Sequence, residues 1–168
     1  MFAHPGKKLT FMGTEIPQFI EWDEKRELDW FLLDYPLHKK THDYVRELNI
    51  FYQQTPAFWQ QDGGWDGFEW HVVDDADHNI FAFSRKAENG QEILVISNFS
   101  GVNWNQYWIG FNDERHYRLV LNSDEDKFGG QGIQVAQLKT IEQQCGEFPY
   151  ILQIDIPAFS TMYFERIK

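Results

Sequence analysis

From Gly67 onward the chain is a succession of short segments with strand chemistry, punctuated by turn signals, and this pattern limits the fold most. GFEWHVV sets Phe68, Trp70 and Val72 against polar Glu69 and His71, the period-2 alternation of a half-buried strand. NIFAFSR and EILVISNF follow, joined by AENGQ, whose Asn-Gly pair accepts the positive φ angles of a tight hairpin. Then come YWIGF, YRLVLNS, a Gly-rich loop (FGGQGI), a weak strand near VAQLK, and finally YILQIDI and TMYFERI. Pro157 in PAFS lies between the last two, where a missing N–H costs no ladder bond. About seven strands at roughly ten-residue spacing predict an antiparallel β-sandwich.

The first 62 residues read differently. Residues 9–12 of LTFMGTEI predict a short buried strand, followed by a loop through Glu15, Pro17 and Gln18 to Glu21 and Trp22. ELDWFLLD (27–34) leaves a helical turn or two open. THDYVRELNIFYQQTP predicts a helix, because Tyr44, Val45, Leu48, Phe51 and Tyr52 share one face. Thr41 is the expected N-cap, and Pro56 is the expected stop. GGWD (63–66) has the composition of a hinge, so the expected domains are 1–62 and 63–168. A lone parallel strand has no ladder partner for its backbone groups, and repetition of such strand–loop–helix units closes a (β/α)8 barrel. The expectation is therefore a mainly β fragment of something larger: the last unit of a barrel, then an all-β domain.

Composition narrows the partners. The formal net charge of −11 argues against nucleic acid and anionic membrane surfaces, and leaves a neutral ligand such as a carbohydrate compatible. Aromatic residues make up 17% of the chain; an aromatic-rich β core accounts for most of them, and exposed rings that stack on a sugar or a base would account for the rest. The single cysteine, Cys145, excludes an internal disulfide, and IEQQCGEF predicts a loop around it. A reducing, cytoplasmic location is the default reading, with no signal-peptide pattern and no apolar run long enough to span a bilayer.

Several clusters have a chemical reading and a plainer one. Asp74, Asp75 and Asp77 lack the glycine and the bidentate glutamate of a calcium loop, so a solvated hairpin turn is expected. The histidines show no H-E-x-x-H pattern, and Lys39 and Lys40 separate His38 from His42, so no metal is expected. Gly129, Gly130 and Gly132 are not followed by the lysine and helix of a phosphate cradle, and no cofactor is expected. Trp104, Tyr107 and Trp108 read either as a glucan-binding surface or as rings filling the sandwich, with core filling favoured.

HPGKKLTFMGTEIPQFIEWDEKRELDW resembles the segment that ends the catalytic barrel of bacterial 1,4-α-glucan (glycogen) branching enzymes, of the form HPGKKL-x-FMG-x-E-x-x-Q-x-x-EW followed by L-D-W. The matches run through His4–Leu9, Phe11–Gly13, Glu15, Gln18, Glu21, Trp22 and Leu28–Trp30. They continue in VRELN (45–49), GFEW (67–70) with VVDDAD after it, ISNF (96–99), LNSDEDKFGG (121–130) and the IPAFST turn. Departures fall mainly at Thr14, Ile16 and the β-domain loops.

The resemblance implies an amylase-type C-terminal β-sandwich and a parent that cleaves an α-1,4-glucan and transfers the chain to a 6-hydroxyl by a retaining mechanism. It also implies that the nucleophilic Asp, the acid/base Glu and the stabilising Asp lie upstream, since no DGFRxD-like, EES-like or SHDE-like stretch occurs here. The catalytic set expected in this chain is thus empty, and the chain alone is expected to be inactive. Glu15, Gln18, Glu21 and Trp22 are the candidate substrate contacts. Glu15 reads equally as a group that hydrogen-bonds loop backbone, and Trp22 as packing on a barrel rim. The expected partners are α-glucan within the full enzyme, the missing catalytic region, and a second copy of the fragment. The helix and the first strand are expected to pack on the β domain or on that copy. Rival readings are a stand-alone glucan-binding module and another amylase-like enzyme, such as a debranching or trehalose-forming one.

Overall fold

The computed structural model describes residues 1–135 and 137–167. Among the described residues nine strands form two antiparallel sheets. The larger holds β1 (Phe68–Asp75), β2 (Ile80–Lys86), β3 (Glu92–Asn98), β5 (His116–Asn122), β6 (Leu138–Lys139) and β9 (Thr161–Ile167), in the order β1-β2-β3-β9-β5-β6. The smaller holds β4 (Trp104–Phe111), β7 (Ile141–Cys145) and β8 (Phe148–Ile156), in the order β4-β8-β7. The mainly β, antiparallel sandwich expected from the pattern is the fold observed.

The large sheet is covered on both faces. Leu94 and Ile96 of β3 join Ile109, Leu152 and Ile154 of the small sheet in the sandwich core. Ile93 and Val95, on the opposite face, join Leu48, Phe58 and Tyr163 in a second core. This two-sided burial explains why EILVIS is continuously apolar where other strands alternate. In β1 the alternation breaks at a bulge: the register steps between Trp70 and Val72, so Trp70 packs in the second core and Val72 in the sandwich core.

The second core is roofed by α1 (Pro36–Gln54). Tyr44 meets Phe128 edge-on at 5.1 Å, and Phe51 meets Phe58 at 5.3 Å and Tyr163 at 5.5 Å. The helix thus packs on the β domain, and it ends just before Pro56 as expected. Its start differs. Pro36 opens it, because proline loses no hydrogen bond at a first helical position, and Thr41 is interior, its hydroxyl donating to Leu37 O at 2.9 Å. The open segment 27–34 holds a short 3-10 turn, Trp30–Asp34.

Two further expectations are corrected. No strand forms at residues 9–12. Every ladder among the described residues is antiparallel and none reaches this segment, so its backbone has nothing to pair with, and Leu9 and Phe11 stand 79% and 61% exposed. Cys145 ends a strand and is not in a loop: β7 hairpins onto β8, but as an exposed edge strand of polar residues it carries no apolar alternation to read. Of the weak strand near VAQLK, only Leu138 and Lys139 pair with β5, and Ala136 lies outside the described residues.

Arg85 of β2 fastens the first 62 residues to the sheet. Its side chain is fully buried. The guanidinium donates to Ala3 O (2.7 Å), Phe58 O (3.2 Å), Gly67 O (3.2 Å) and Asp62 Oδ1 (2.6 Å). Asp62 Oδ2 accepts from Gly6 N at 2.9 Å, which closes the clasp. Replacing Arg85 with Ala takes this donor from three carbonyls and leaves the Asp62 carboxylate with Gly6 N but without its cation, so a loss of about 3–5 kcal/mol is expected in urea unfolding. A loss under about 1 kcal/mol, the range of an exposed pair, would show that the clasp holds nothing.

Candidate functional site

The loop that carries the candidate substrate contacts is built around Gly13. Its φ of +82°, favoured by glycine, turns the chain so that Ile16 N and Gln18 N both donate to Gly13 O, at 3.2 and 3.4 Å. The Gln18 side chain lies so close over Gly13 that a Cβ there would sit 2.4 Å from it. Fully buried Ile16 anchors the loop, and His38 of α1 donates a ring N–H to Ile16 O at 2.8 Å. Phe19 closes edge-on against His38 at 5.1 Å.

Gln18, Glu21 and Trp22 line one open concavity of about 630 Å³, with Phe11, Met12 and Gly13. Trp22 meets Phe11 edge-on at 5.9 Å. Glu15 is not brought to them; it opens on the α1 side of the loop, into a separate hollow with His42, Val45, Arg46 and Asn49. An indole, an amide and one carboxylate in a shallow hollow suit a neutral polyhydroxyl ligand. Glycoside chemistry needs two flanking carboxylates, and Glu21 is the only one lining this hollow among the described residues.

The other candidates take structural places. Asp75, at the β1–β2 turn, accepts from His78 Nδ1 (2.7 Å) and from the Tyr107 hydroxyl. Burial alone would raise its carboxyl, but these donors hold it below the ordinary carboxylate range. Trp104 packs inward, its indole N–H donating to His78 O at 3.1 Å and Ser100 Oγ at 3.2 Å. Tyr107 also packs on the sandwich core, whereas Trp108 faces outward, 46% exposed. The Gly-rich loop wraps a protein anion: buried Asp124 accepts from Gln131 N (2.9 Å) and Ile133 N (3.0 Å), which occupies the donors a phosphate would need.

The family model of the alpha amylase C-terminal all-beta domain matches residues 70–167. The chain belongs to this family. Over its whole length it is 43% identical to the 1,4-alpha-glucan branching enzyme GlgB of Halothermothrix orenii, and over 94% of its length 44% identical to that of Desulfitobacterium hafniense. It spans 27% and 25% of those two proteins. The crystal structure of an alpha-amylase from H. orenii aligns with 76% of this chain and 20% of its own, at 19% identity and a TM-score of 0.48. No helix among the described residues is long and apolar enough to cross a membrane.

Within this alpha-amylase-type domain the stretches that carried the resemblance meet at structural knots. Asn98 of ISNF donates to Pro157 O of IPAFST at 2.9 Å and to Val102 O at 2.8 Å, tying the β3–β4 crossing to the β8–β9 turn. Sequence reasoning missed a second knot, a buried polar cluster on Glu92. Its carboxylate accepts from Ser84 Oγ (2.9 Å), Arg115 Nη1 (2.9 Å), the Tyr117 hydroxyl (3.0 Å) and Arg166 Nη1 (3.1 Å). Burial raises this carboxyl, but Arg115 and the donors outweigh it and hold it low. The sequence signal was a glutamate opening the most apolar strand.

His71 joins the cluster. The one proton of Ser84 goes to Glu92, so His71 Nε2 is the donor at 2.8 Å to Ser84 Oγ, and the neutral imidazole suffices. Burial pushes His71 down to about 4. The unfolded chain therefore takes up this proton first as pH falls. The share of stability carried by His71 is full above about pH 6.5 and is lost down to about pH 4. The melting temperature is expected to fall across that window. His71→Gln, which keeps a donor, is expected to flatten the fall; an identical slope in the variant would remove His71 as its cause.

Proposed function

We propose that this chain is the C-terminal part of a bacterial glycogen branching enzyme, which moves an α-1,4-glucan chain to a 6-hydroxyl to form an α-1,6 branch. The observation that carries the reading is the surface of residues 9–37. Phe11, Phe19, Phe31 and Leu37 are each more than half exposed, beside a hollow with one carboxylate. Such a surface asks for cover, and a site of this kind asks for a second acid. An upstream catalytic region supplies both. Likeness along the whole chain to two branching enzymes, each much longer, supports the same conclusion.

In this reading residues 1–62 end the catalytic barrel, residues 63–168 form the all-β domain, and the protein works in the cytoplasm. Gln18, Glu21 and Trp22 contact glucan at the rim of the completed site, and Glu15 contacts it from the α1 side of the loop. Transfer itself is the work of upstream carboxylates, so this chain alone is inactive. A free-standing glucan-binding module would use the same hollow and need no upstream region.

Mixing separates these readings. The chain is combined with the remaining, N-terminal part of the H. orenii enzyme and incubated with amylose, and new branches are counted as chain ends after debranching. Activity is expected from the mixture and from neither part alone. Trp22→Ala is expected to lower it about tenfold through lost ring contact. A mixture in which the two parts associate yet form no branches would count against the enzyme reading.

A further inference from the structure

The outer face of the three-stranded sheet carries a strip that the branching reading leaves unused. Ile109, Leu152 and Ile154 point into the sandwich core, so the residues that alternate with them face out. On that face Trp108 pairs across the ladder with Gln153, and Gly110 with Ile151. Gly110 has no side chain to spare: a Cβ would lie 2.3 Å from the Phe148 ring, which covers the strand there. Ile141 of β7 lies beside Ile151. Trp108, Ile141 and Phe148 are 46%, 45% and 36% exposed, and Gln153 is exposed as well.

Trp108, Gln153, Ile141 and Phe148 carry no ionising group, and the nearest charge on the face, Asp155 two residues beyond Gln153, accepts from Gln106 N at 2.7 Å. An anionic ligand finds no counter-charge there and is repelled by Asp155 and by the net charge of −11. A protein partner is poorly served too. Whole aromatic side chains bury about 150–250 Å² each, so three partly exposed apolar groups fall short of the roughly 1,000 Å² of a stable interface. An open ring beside an amide fits one chemistry well, a neutral sugar chain. Its C–H faces stack on the indole, and its hydroxyls both give to and take from a group that is donor and acceptor at once.

Resting on the glucan reading above, we infer that this strip is a second binding site for α-1,4-glucan, distinct from the hollow at Trp22. Trp108 stacks on the glucose rings, and Gln153 holds their hydroxyls. The site keeps substrate chains at the surface of the all-β domain.

Electrophoresis of the full chain through gels with and without amylose tests this, with maltoheptaose titration giving the affinity. Wild type is expected to be retarded. Trp108→Ala is expected to weaken binding about tenfold or more, Trp108→Phe to keep most of it, and Trp65→Ala, at an exposed indole off the strip, to match wild type. Matching melting temperatures establish that the variants fold. Three results overturn the inference: no retardation of wild type; retardation of Trp108→Ala equal to wild type; or a loss that follows Trp22→Ala and spares Trp108→Ala. Sedimentation adds a fourth, a wild-type dimer that Trp108→Ala dissolves, without glucan binding. Branching in the mixed assay by a wild-type chain that shows no retardation would overturn the strip alone and leave the enzyme reading in place.

Discussion

The arrangement of this chain depends on one buried cation. Arg85 sits on an interior strand with its guanidinium spent on three carbonyls and one carboxylate, all from segments outside the sheet. Burying a charge is costly unless every donor finds a partner, and here the partners are backbone groups that would otherwise be buried unsatisfied. The two needs cancel. The N-terminal residues around Ala3, the chain after α1 and Gly67 just before β1 are thereby brought to one point. α1 is then held over the face of the sheet where its aromatic side chains find Phe58, Phe128 and Tyr163. Among the described residues no buried side-chain nitrogen or oxygen lacks a hydrogen-bond partner, so the same principle extends through the interior.

Much of this was legible in the residues. Strands with an apolar face or an apolar run were found where alternation or β-branched content marked them, and the helix where its apolar face recurred. β7 was not, because an edge strand exposed on both faces has no burial to imprint a period on Ile141–Cys145. The helix start was displaced because Thr41 has the chemistry of a cap but already lies within a helix that Pro36 opens. The run at 9–12 has the composition of a buried strand, and composition cannot supply a neighbour. Its exposed state in this chain is what the proposed upstream region would change.

The placement of the candidate contacts follows from turn geometry more than from local pattern. Three of the four candidate contacts share a hollow because the turn at Gly13 carries the loop past Gln18 toward Trp22; Glu15 is set apart by the same turn. The Glu92 cluster was invisible because its members come from β1, β2, β3, β5, β9 and the loop before β5, and no local spacing relates them. The Trp104–Trp108 stretch resolved into two inward rings and one outward ring, since a register shift between Trp104 and Tyr107 resets the alternation.

That shift has counterparts. The edges of the two sheets are β1 and β6, and β4 and β7. β1, β4 and β7 each carry a bulge, and β6 is two residues long. An unbroken edge is a template on which a foreign strand adds without limit, the first step toward fibrils. Here all four templates are spoiled. A chain that exposes this much apolar surface between residues 9 and 37 has an evident route to disordered clumping, yet its sheets offer no ordered one. Any self-assembly would come from side chains meeting side chains, and it would stay sensitive to whatever covers that surface.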